Sequence, residues 1–127
     1  MVNYNNGKIY KIQPKFNGEE GDVYIGSTTK QLLCQRMAGH KQHYRRHIRD
    51  EKASSYTVFQ LFDKYGFHNC EILLLENVDA KSKDELYLRE RYYIDNIKCI
   101  NKIKPMSDRR LIGHMMMQEA IEWTKEK

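Results

Sequence analysis

The chain of 127 residues contains only two prolines and one tryptophan, and it has no long apolar run. No apolar stretch approaches the roughly 18 residues that a membrane-spanning helix needs, and the mean hydropathy is -0.81. The polar opening, Met1–Asn6, lacks the apolar segment of a signal peptide. We therefore expect one compact, soluble, intracellular domain with no membrane partner.

Cysteine is scarce as well. Cys34, Cys70 and Cys99 are odd in number and too far apart for a CxxC pair. Neither a disulfide framework nor a thiolate zinc site is expected from this spacing. Buried, reduced thiols are the simpler interpretation.

Acidic residues are absent between Lys30 and Arg49. This window holds six Lys or Arg and three His, whereas the whole chain has a formal net charge of only +5. All of the excess positive charge therefore lies in one block of sequence. Such a block is typical of a surface that binds a polyanion, either nucleic acid or an anionic membrane surface, but a solvated helix face is the structural alternative.

Two short runs rich in Ile, Val and Tyr, residues 7–13 and 22–27, flank a segment with Pro and Gly and predict a β-hairpin. The continuous apolar run Cys70–Glu76 predicts a strand covered on both faces, the middle strand of the sheet.

Four helices are expected between and after these strands. The first spans about 30–49, with Ser27, Thr28 or Thr29 as cap and an inner stripe of Leu33, Met37, Tyr44 and Ile48. The second follows Ser54 or Ser55 and closes at Gly66; the third starts at Ser82 and ends near 96–99. Pro105 separates the last, amphipathic helix, 107–127.

Spacing on the first helix places Arg36, His40, His43 and His47 within a narrow angular range, beside the apolar stripe. Arginine donates to phosphate oxygens through a planar fork, and histidine exchanges protons near neutral pH. This edge could form the wall of a phosphate-binding cleft. The alternative is ordinary surface charge.

Spacing on the third helix places Glu90 on the inner stripe with Leu86, Tyr93 and Ile97, whereas Glu85 and Arg91 point elsewhere. An unpaired carboxylate in a core costs several kcal/mol, so Glu90 needs a partner. One hypothesis is an ion pair with Arg or Lys. The other is a ligand for a hard divalent cation such as Mg²⁺.

Tyr10 and Tyr24 lie on the two predicted hairpin strands, where a single tyrosine is usually a core or rim residue. Together with other segments they resemble the GIY-YIG nuclease superfamily in order and spacing. The matching segments are GKIY (Gly7–Tyr10), VYIGST (Val23–Thr28), QRMAGHK (Gln35–Lys41), LRERYYI (Leu88–Ile94) and INK (Ile100–Lys102). Two departures are Lys8 in place of the first glycine of the motif and a longer turn around 17–21.

The resemblance implies a fold and an activity. The fold class is α/β of the α+β type: a small central three-stranded, mainly antiparallel sheet flanked by helices, with residues 1–104 as the nuclease domain and 105–127 as a helical extension. The activity is metal-dependent DNA hydrolysis with one Mg²⁺ (or Mn²⁺). No appended DNA-recognition domain is evident in the sequence, so the DNA substrate is left open.

Site roles follow from the same resemblance, residue by residue. Glu90 matches the metal ligand, Tyr10 the general base, Tyr24 a residue that positions water or phosphate, and Arg36 the group that stabilises the transition state. His40 matches a histidine one turn later, Asn101 a hydrogen-bonding brace, and Gly26 a point of close backbone approach to substrate. We expect neighbouring cations to lower the pKa of Tyr10 from its ordinary value near 10.

Further residues of the basic window have no secure role in the family and are assigned to DNA backbone contact: Lys41, His43, Tyr44, Arg45, Arg46, His47 and Arg49. The alternative function is a catalytically silent module that binds nucleic acid or protein. A membrane-surface helix is disfavoured, because the basic helix lacks a broad Trp, Phe and Leu face. The helix 107–127 packs either on its own domain or on a second copy or protein partner.

Overall fold

The computed structural model describes residues 3–50, 52, 53 and 55–101. The strands are β1 (Gly7–Pro14), β2 (Tyr24–Thr28) and β3 (Cys70–Val78), and the helices are α1 (Leu33–Arg49), α2 (Phe59–Tyr65) and α3 (Lys83–Asn96). Single 3-10 turns precede β1 and β3. The predicted helix 107–127 lies outside the described residues. The described part has the expected α+β architecture.

The sheet has the order β2-β1-β3, and both pairs are antiparallel. The prediction that 70–76 forms the middle strand is therefore wrong. The middle strand is β1, in which Ile9, Tyr10 and Ile12 have no exposed surface. An apolar run indicates buried faces, but position in a sheet depends on pairing, and β3 lies at an edge with Leu73 and Leu74 exposed.

Two cores cover the two faces of the sheet. Tyr10 and Ile12 pack against α1 and α2, where Met37, Tyr44 and Phe62 are buried. Ile9, with Ile25 of β2, packs against α3 on the other face. The register of the pairing with β3 shifts between Ile9 and Tyr10. The sheet consequently lies between α1 and α2 on one side and α3 on the other.

The first helix begins three residues later than predicted. Thr28 belongs to β2, where its hydroxyl accepts from the Lys30 N–H at 3.1 Å, so it does not cap α1. The Gln35 side chain accepts instead from the N–H of Leu32, the residue before the helix. Met37 and Tyr44 are buried as predicted, but Ile48 is 60% exposed because it lies near the helix end, away from the core.

The other helices confirm most of the capping predictions. Ser82 caps α3 by accepting from the Glu85 N–H, and Gly66 ends α2 with a φ of 85°, which favours glycine. Val58, not a serine, precedes α2. The buried Tyr44 donates its hydroxyl to Asp63 of α2 at 2.6 Å and so ties α1 to α2.

Two further expectations concern the cysteines and the membrane. All three cysteines are free; Cys70 is buried, whereas Cys34 is exposed, contrary to expectation. Cys34 lies in the first turn of α1, near the end of the helix, where its thiol is exposed. Among the described residues, no helix combines the length and apolar character needed to cross a membrane.

A paired cluster holds α3 to the edge strand. Arg89 donates to both carboxylate oxygens of Glu76 on β3, at 2.6 and 2.7 Å, and the Tyr93 hydroxyl donates to the same carboxylate at 3.1 Å. The hydrogen bonds from Arg89, and then that from Tyr93, hold the pKa of Glu76 below its ordinary value against the opposing effect of burial. This cluster fixes the helix that carries Glu90.

We predict that Arg89→Met lowers the free energy of unfolding at pH 7 by about 1 kcal/mol, since solvent screens a partly exposed pair. The folded-state pKa of Glu76 lies below its unfolded value, so the stabilisation is present above the unfolded pKa and is lost as pH falls through the folded one. Urea unfolding at pH 7 and near pH 3 measures the change, with Lys98→Met as an exposed control. An equal deficit at both pH values would contradict the assigned pairing.

Candidate active site

Tyr10 of the middle strand meets two residues of α1. Its hydroxyl lies 2.7 Å from Nε2 of His40 and accepts from Nε of Arg36 at 3.2 Å. Arg36 and His40 are one helical turn apart, so both side chains lie on the face of α1 that covers β1. The sequence prediction that these three residues share one site agrees with this placement.

The protonation states of the pair follow from burial. Burial, and then the charges of Arg36 and His43, lower the pKa of His40 to about 3. His40 is therefore neutral at physiological pH, and its Nε2 can accept the proton of the Tyr10 hydroxyl. Because Arg36 already donates to the Tyr10 oxygen, we assign the His40 tautomer that is protonated at Nδ1, in which the Tyr10 hydroxyl donates to Nε2.

Burial also sets the acidity of Tyr10. Burial raises the pKa of Tyr10 well above 10, and the charge of a Tyr24 phenolate would raise this pKa further. The positive charge and hydrogen bond of Arg36 lower it, but they only partly offset the two other effects. The expectation that neighbouring cations make Tyr10 more acidic is wrong for the described structure, because desolvation outweighs Arg36 and His40 carries no charge. In the resting site both members of the hydrogen bond are neutral.

Tyr24 lies beside this pair. Its ring centroid is 6.5 Å from that of Tyr10 and 5.9 Å from that of His40. Burial, and then the negative charge of Glu90, raise the pKa of Tyr24, with Arg36 opposing. Tyr24 is half-buried, whereas Tyr10 has no exposed surface. Tyr24 is thus the tyrosine of the two that borders solvent.

Gly26 makes the burial of Tyr10 feasible. The two residues are partners across the β1–β2 register. A Cβ at Gly26 would lie 3.0 Å from Cε2 of Tyr10 and still closer to its hydroxyl, which no side chain tolerates without displacement of the ring. The close approach in the structure is therefore to Tyr10; approach to a substrate stays a prediction.

Glu90 enters the site from α3. It is half-buried, and it accepts hydrogen bonds from the hydroxyl and the backbone N–H of Ser27. Burial raises its pKa, although the Ser27 hydrogen bonds and the charge of Arg36 act in the opposite direction. None of the ion pairs found within 4.0 Å among the described residues includes Glu90, so the structural alternative of a direct salt bridge has no support there.

The donor set at Glu90 can be compared with the needs of a metal ion. The part of the chain that the structure describes holds no group of three His, Cys, Asp or Glu that could bind a metal. A single carboxylate is compatible with Mg²⁺, which keeps several waters and binds through one or two carboxylates plus substrate phosphate. Glu90 could serve as the one protein ligand of such an ion, with its carboxylate oriented by the hydrogen bonds from Ser27.

Asn101 braces the neighbouring strand. Its amide accepts from the Ile25 N–H at 2.9 Å and donates to the Ile25 carbonyl at 2.8 Å, and the Ile100 N–H donates to Val23. These bonds occupy the outer edge of β2 between Tyr24 and Gly26. The structure thus places Asn101 against the strand that carries Tyr24 and Gly26, and its role as a brace of the site stays a prediction.

The remaining basic residues of α1 are spread over several surroundings. His43 is exposed and stacks on Tyr56, His47 packs on Phe59, and Lys41 and Arg45 lie over the ring of Phe67. Arg46 borders a cavity of about 300 Å³, and Arg49 is exposed. Of the four residues predicted to share one edge of the first helix, the structure brings Arg36 and His40 to Tyr10.

The position of Tyr44 differs from the prediction that this residue contacts DNA. It is 7% exposed, and its hydroxyl is bonded to Asp63. Burial raises the pKa of Tyr44 to about 12, and the bond to Asp63 contributes in the same direction. This placement argues against a DNA contact, because the side chain serves the core between α1 and α2.

Two features that involve α3 were not predicted from the sequence: the hydrogen-bond partner of Glu90 and the burial of Arg91. Ser27 is the residue that bonds Glu90, and no local pattern links them because they are far apart along the chain. Arg91, which helical spacing directed away from the core, is 7% exposed. A charged residue at that position gives no sign of burial in the sequence, since arginine is seldom buried unless paired.

No family model, curated protein or solved structure matches this chain. The functional argument depends on the residues and their geometry.

The state of His40 gives a testable pH dependence. Its folded pKa lies near 3, below the unfolded value of about 6.5, so the unfolded chain binds more protons between them. Wild-type stability should therefore fall as pH drops from about 6.5 toward 3. His40→Gln keeps an acceptor for Tyr10 but cannot titrate, so its stability should fall less over that window in urea unfolding.

The control is His68→Gln, which removes an exposed histidine outside α1. If His40→Gln and the wild type lose stability in parallel as pH falls, His40 is not the buried neutral acceptor described above.

Proposed function

We propose that the chain is a metal-dependent DNA endonuclease of the GIY-YIG type that hydrolyses phosphodiester bonds. The observation that supports this most is the Tyr10 hydroxyl held between Nε2 of a neutral His40 and Nε of Arg36. A core tyrosine needs only one polar partner. A tyrosine that both donates to a base and accepts from a cation is arranged for proton transfer.

The proton path follows from these contacts. As the oxygen of a water attacks phosphorus, its proton passes to the Tyr10 oxygen, and the Tyr10 proton passes to Nε2 of His40. The bond from phosphorus to the leaving 3′ oxygen breaks, and solvent protonates that oxygen. Because Tyr10 passes on one proton as it receives another, its high pKa does not prevent the step; His40 ends as the cation.

Arg36 has two functions in this proposal. Its Nε stabilises negative charge on the Tyr10 oxygen, and its guanidinium offers further donors to a phosphate oxygen. Arg36 is only half-buried, so these further donors could reach the phosphate that is attacked while Nε stays on Tyr10. In this proposal, DNA binding must also open the buried Tyr10 hydroxyl to the attacking water.

Glu90 would hold the divalent cation, Mg²⁺ or Mn²⁺, with Ser27 orienting the carboxylate. When bound, such a cation neutralises charge that develops on the phosphate. Tyr24, which borders solvent beside Tyr10 and feels the charge of Glu90, would position the water or the phosphate.

The second candidate is a catalytically silent module that binds nucleic acid or protein. The complete burial of Tyr10 favours it, since a reacting hydroxyl must be reached by water. Cleavage of DNA in the presence of Mg²⁺ distinguishes the two candidates, and DNA binding is shared by the nuclease and a module that binds nucleic acid. Supercoiled plasmid, hairpin, flap and junction DNA are the appropriate substrates.

We predict that the wild type cleaves at least one of these DNAs with Mg²⁺ and not with EDTA, and that Glu90→Gln abolishes cleavage. Glutamine keeps the shape but removes the charge. Because burial disfavours the Glu90 carboxylate, the variant should be at least as stable as the wild type near pH 7 in thermal unfolding.

Glu85→Gln is the matched control, since it removes the same charge from an exposed position of α3. Cleavage by Glu90→Gln at the wild-type rate would reject the metal assignment. Binding by the wild type without any cleavage would favour the silent module.

A further inference from the structure

A second cavity lies beside the candidate active site and has no assigned role. It has a volume of about 240 Å³ and lies between the segment that joins β2 to α1 and the first half of α3. Arg36 and Ser27, the partners of Tyr10 and Glu90, form one side, and Lys30, Lys83 and Tyr87 lie around the rest. The cavity therefore adjoins the reacting groups.

The charged residues that line this cavity are all basic, while the Glu90 carboxylate lies next to its wall, bonded to Ser27. Lys30, Arg36 and Lys83 supply three cations, and none of the described residues that line it is acidic. Lys30 and Lys83 are exposed, so their ammonium groups are available to a ligand. Hydroxyl groups of Thr28 and Thr29 add donors, whereas the Ser27 hydroxyl donates to Glu90. Cations and hydroxyls together are the donor set that phosphate oxygens take.

Two contacts shape the walls. The Lys8 ammonium donates to the carbonyls of Asn6 and Lys30, at 3.1 and 3.0 Å, and so ties the Lys30 segment to β1. The Lys83 ammonium lies 5.3 Å from the centroid of the Tyr87 ring. Lys8 is also the residue that departs from the glycine of the GIY-YIG motif. This residue thus holds the Lys30 segment, which lines the cavity.

We propose that this cavity, the flanking-phosphate pocket, binds a backbone phosphate of the polynucleotide next to the bond that is cleaved. Lys30 and Lys83 hold that phosphate, while Arg36 lies between it and Tyr10. This inference rests on the proposed nuclease function, because the register of the strand is set by the neighbouring reacting site.

The test uses the salt dependence of DNA binding by the full chain. A fluorescently labelled DNA duplex is titrated in EDTA, so that it is not cleaved, over a range of salt concentrations. Each lost phosphate contact reduces the slope of log affinity against log salt by about 0.9. Because Lys30 and Lys83 hold the same phosphate, the double variant Lys30→Gln with Lys83→Gln should have a slope smaller by about 0.9.

In measurable terms, the wild type should lose about 3.5-fold more affinity than the double variant between about 50 and 200 mM salt. Lys98→Gln is the matched control for Lys83→Gln. It removes an exposed lysine beyond the opposite end of α3, roughly 20 Å away by helix geometry, and should leave the slope unchanged. Thermal unfolding confirms that each variant is folded.

The outcomes separate this inference from the proposed function. If the wild type cleaves DNA but the double variant keeps the wild-type slope, the pocket is rejected and the nuclease is retained. If the wild type neither binds nor cleaves DNA, both are rejected. If inorganic phosphate stabilises the wild type but not the double variant while the DNA slope is unchanged, the site takes a free anion, and the polynucleotide assignment is wrong.

Discussion

The buried hydroxyl of Tyr10 is the constraint on which the candidate site depends. A phenol in the middle strand, without exposed surface, needs polar partners inside the protein. Arg36 and His40 supply them from α1, and the same burial that demands them keeps His40 neutral. The ring fits only because Gly26 has no side chain, and Asn101 fixes the strand that carries this glycine.

The electrostatics of the site have a consequence for its resting state. Burial raises the pKa of Tyr10 and lowers that of His40, so transfer of the proton between them is unfavourable before substrate binds. Glu90 carries a carboxylate whose charge is only partly compensated by Ser27 and Arg36. Binding of a cation and a phosphate would change both conditions together. The arrangement is therefore compatible with a site that becomes active only when both are present.

Local patterns predicted the parts of the fold that depend on neighbouring residues. The hairpin follows from Ile, Val and Tyr around a turn, the start of α3 from Ser82, and the inward position of Glu90 from helical spacing. Pairing and burial could not be predicted in the same way. The apolar run of β3 indicated a middle strand, yet the order of strands depends on contacts between distant segments. The neutral state of His40 and the contact between Gly26 and Tyr10 likewise arise only once α1 and β2 have docked on β1.

The central claim is that Tyr10 takes part in the chemical step, and the most direct measurement is the single-turnover rate of DNA cleavage by Tyr10→Phe. With enzyme in excess over a DNA that the wild type cleaves, the rate constant should fall by about 10²-fold or more. The dissociation constant for the same DNA should be unchanged. Tyr92→Phe, which removes a hydroxyl from an exposed ring of α3, should behave as wild type. A Tyr10→Phe protein that cleaves at the wild-type rate but binds DNA more weakly would contradict the account.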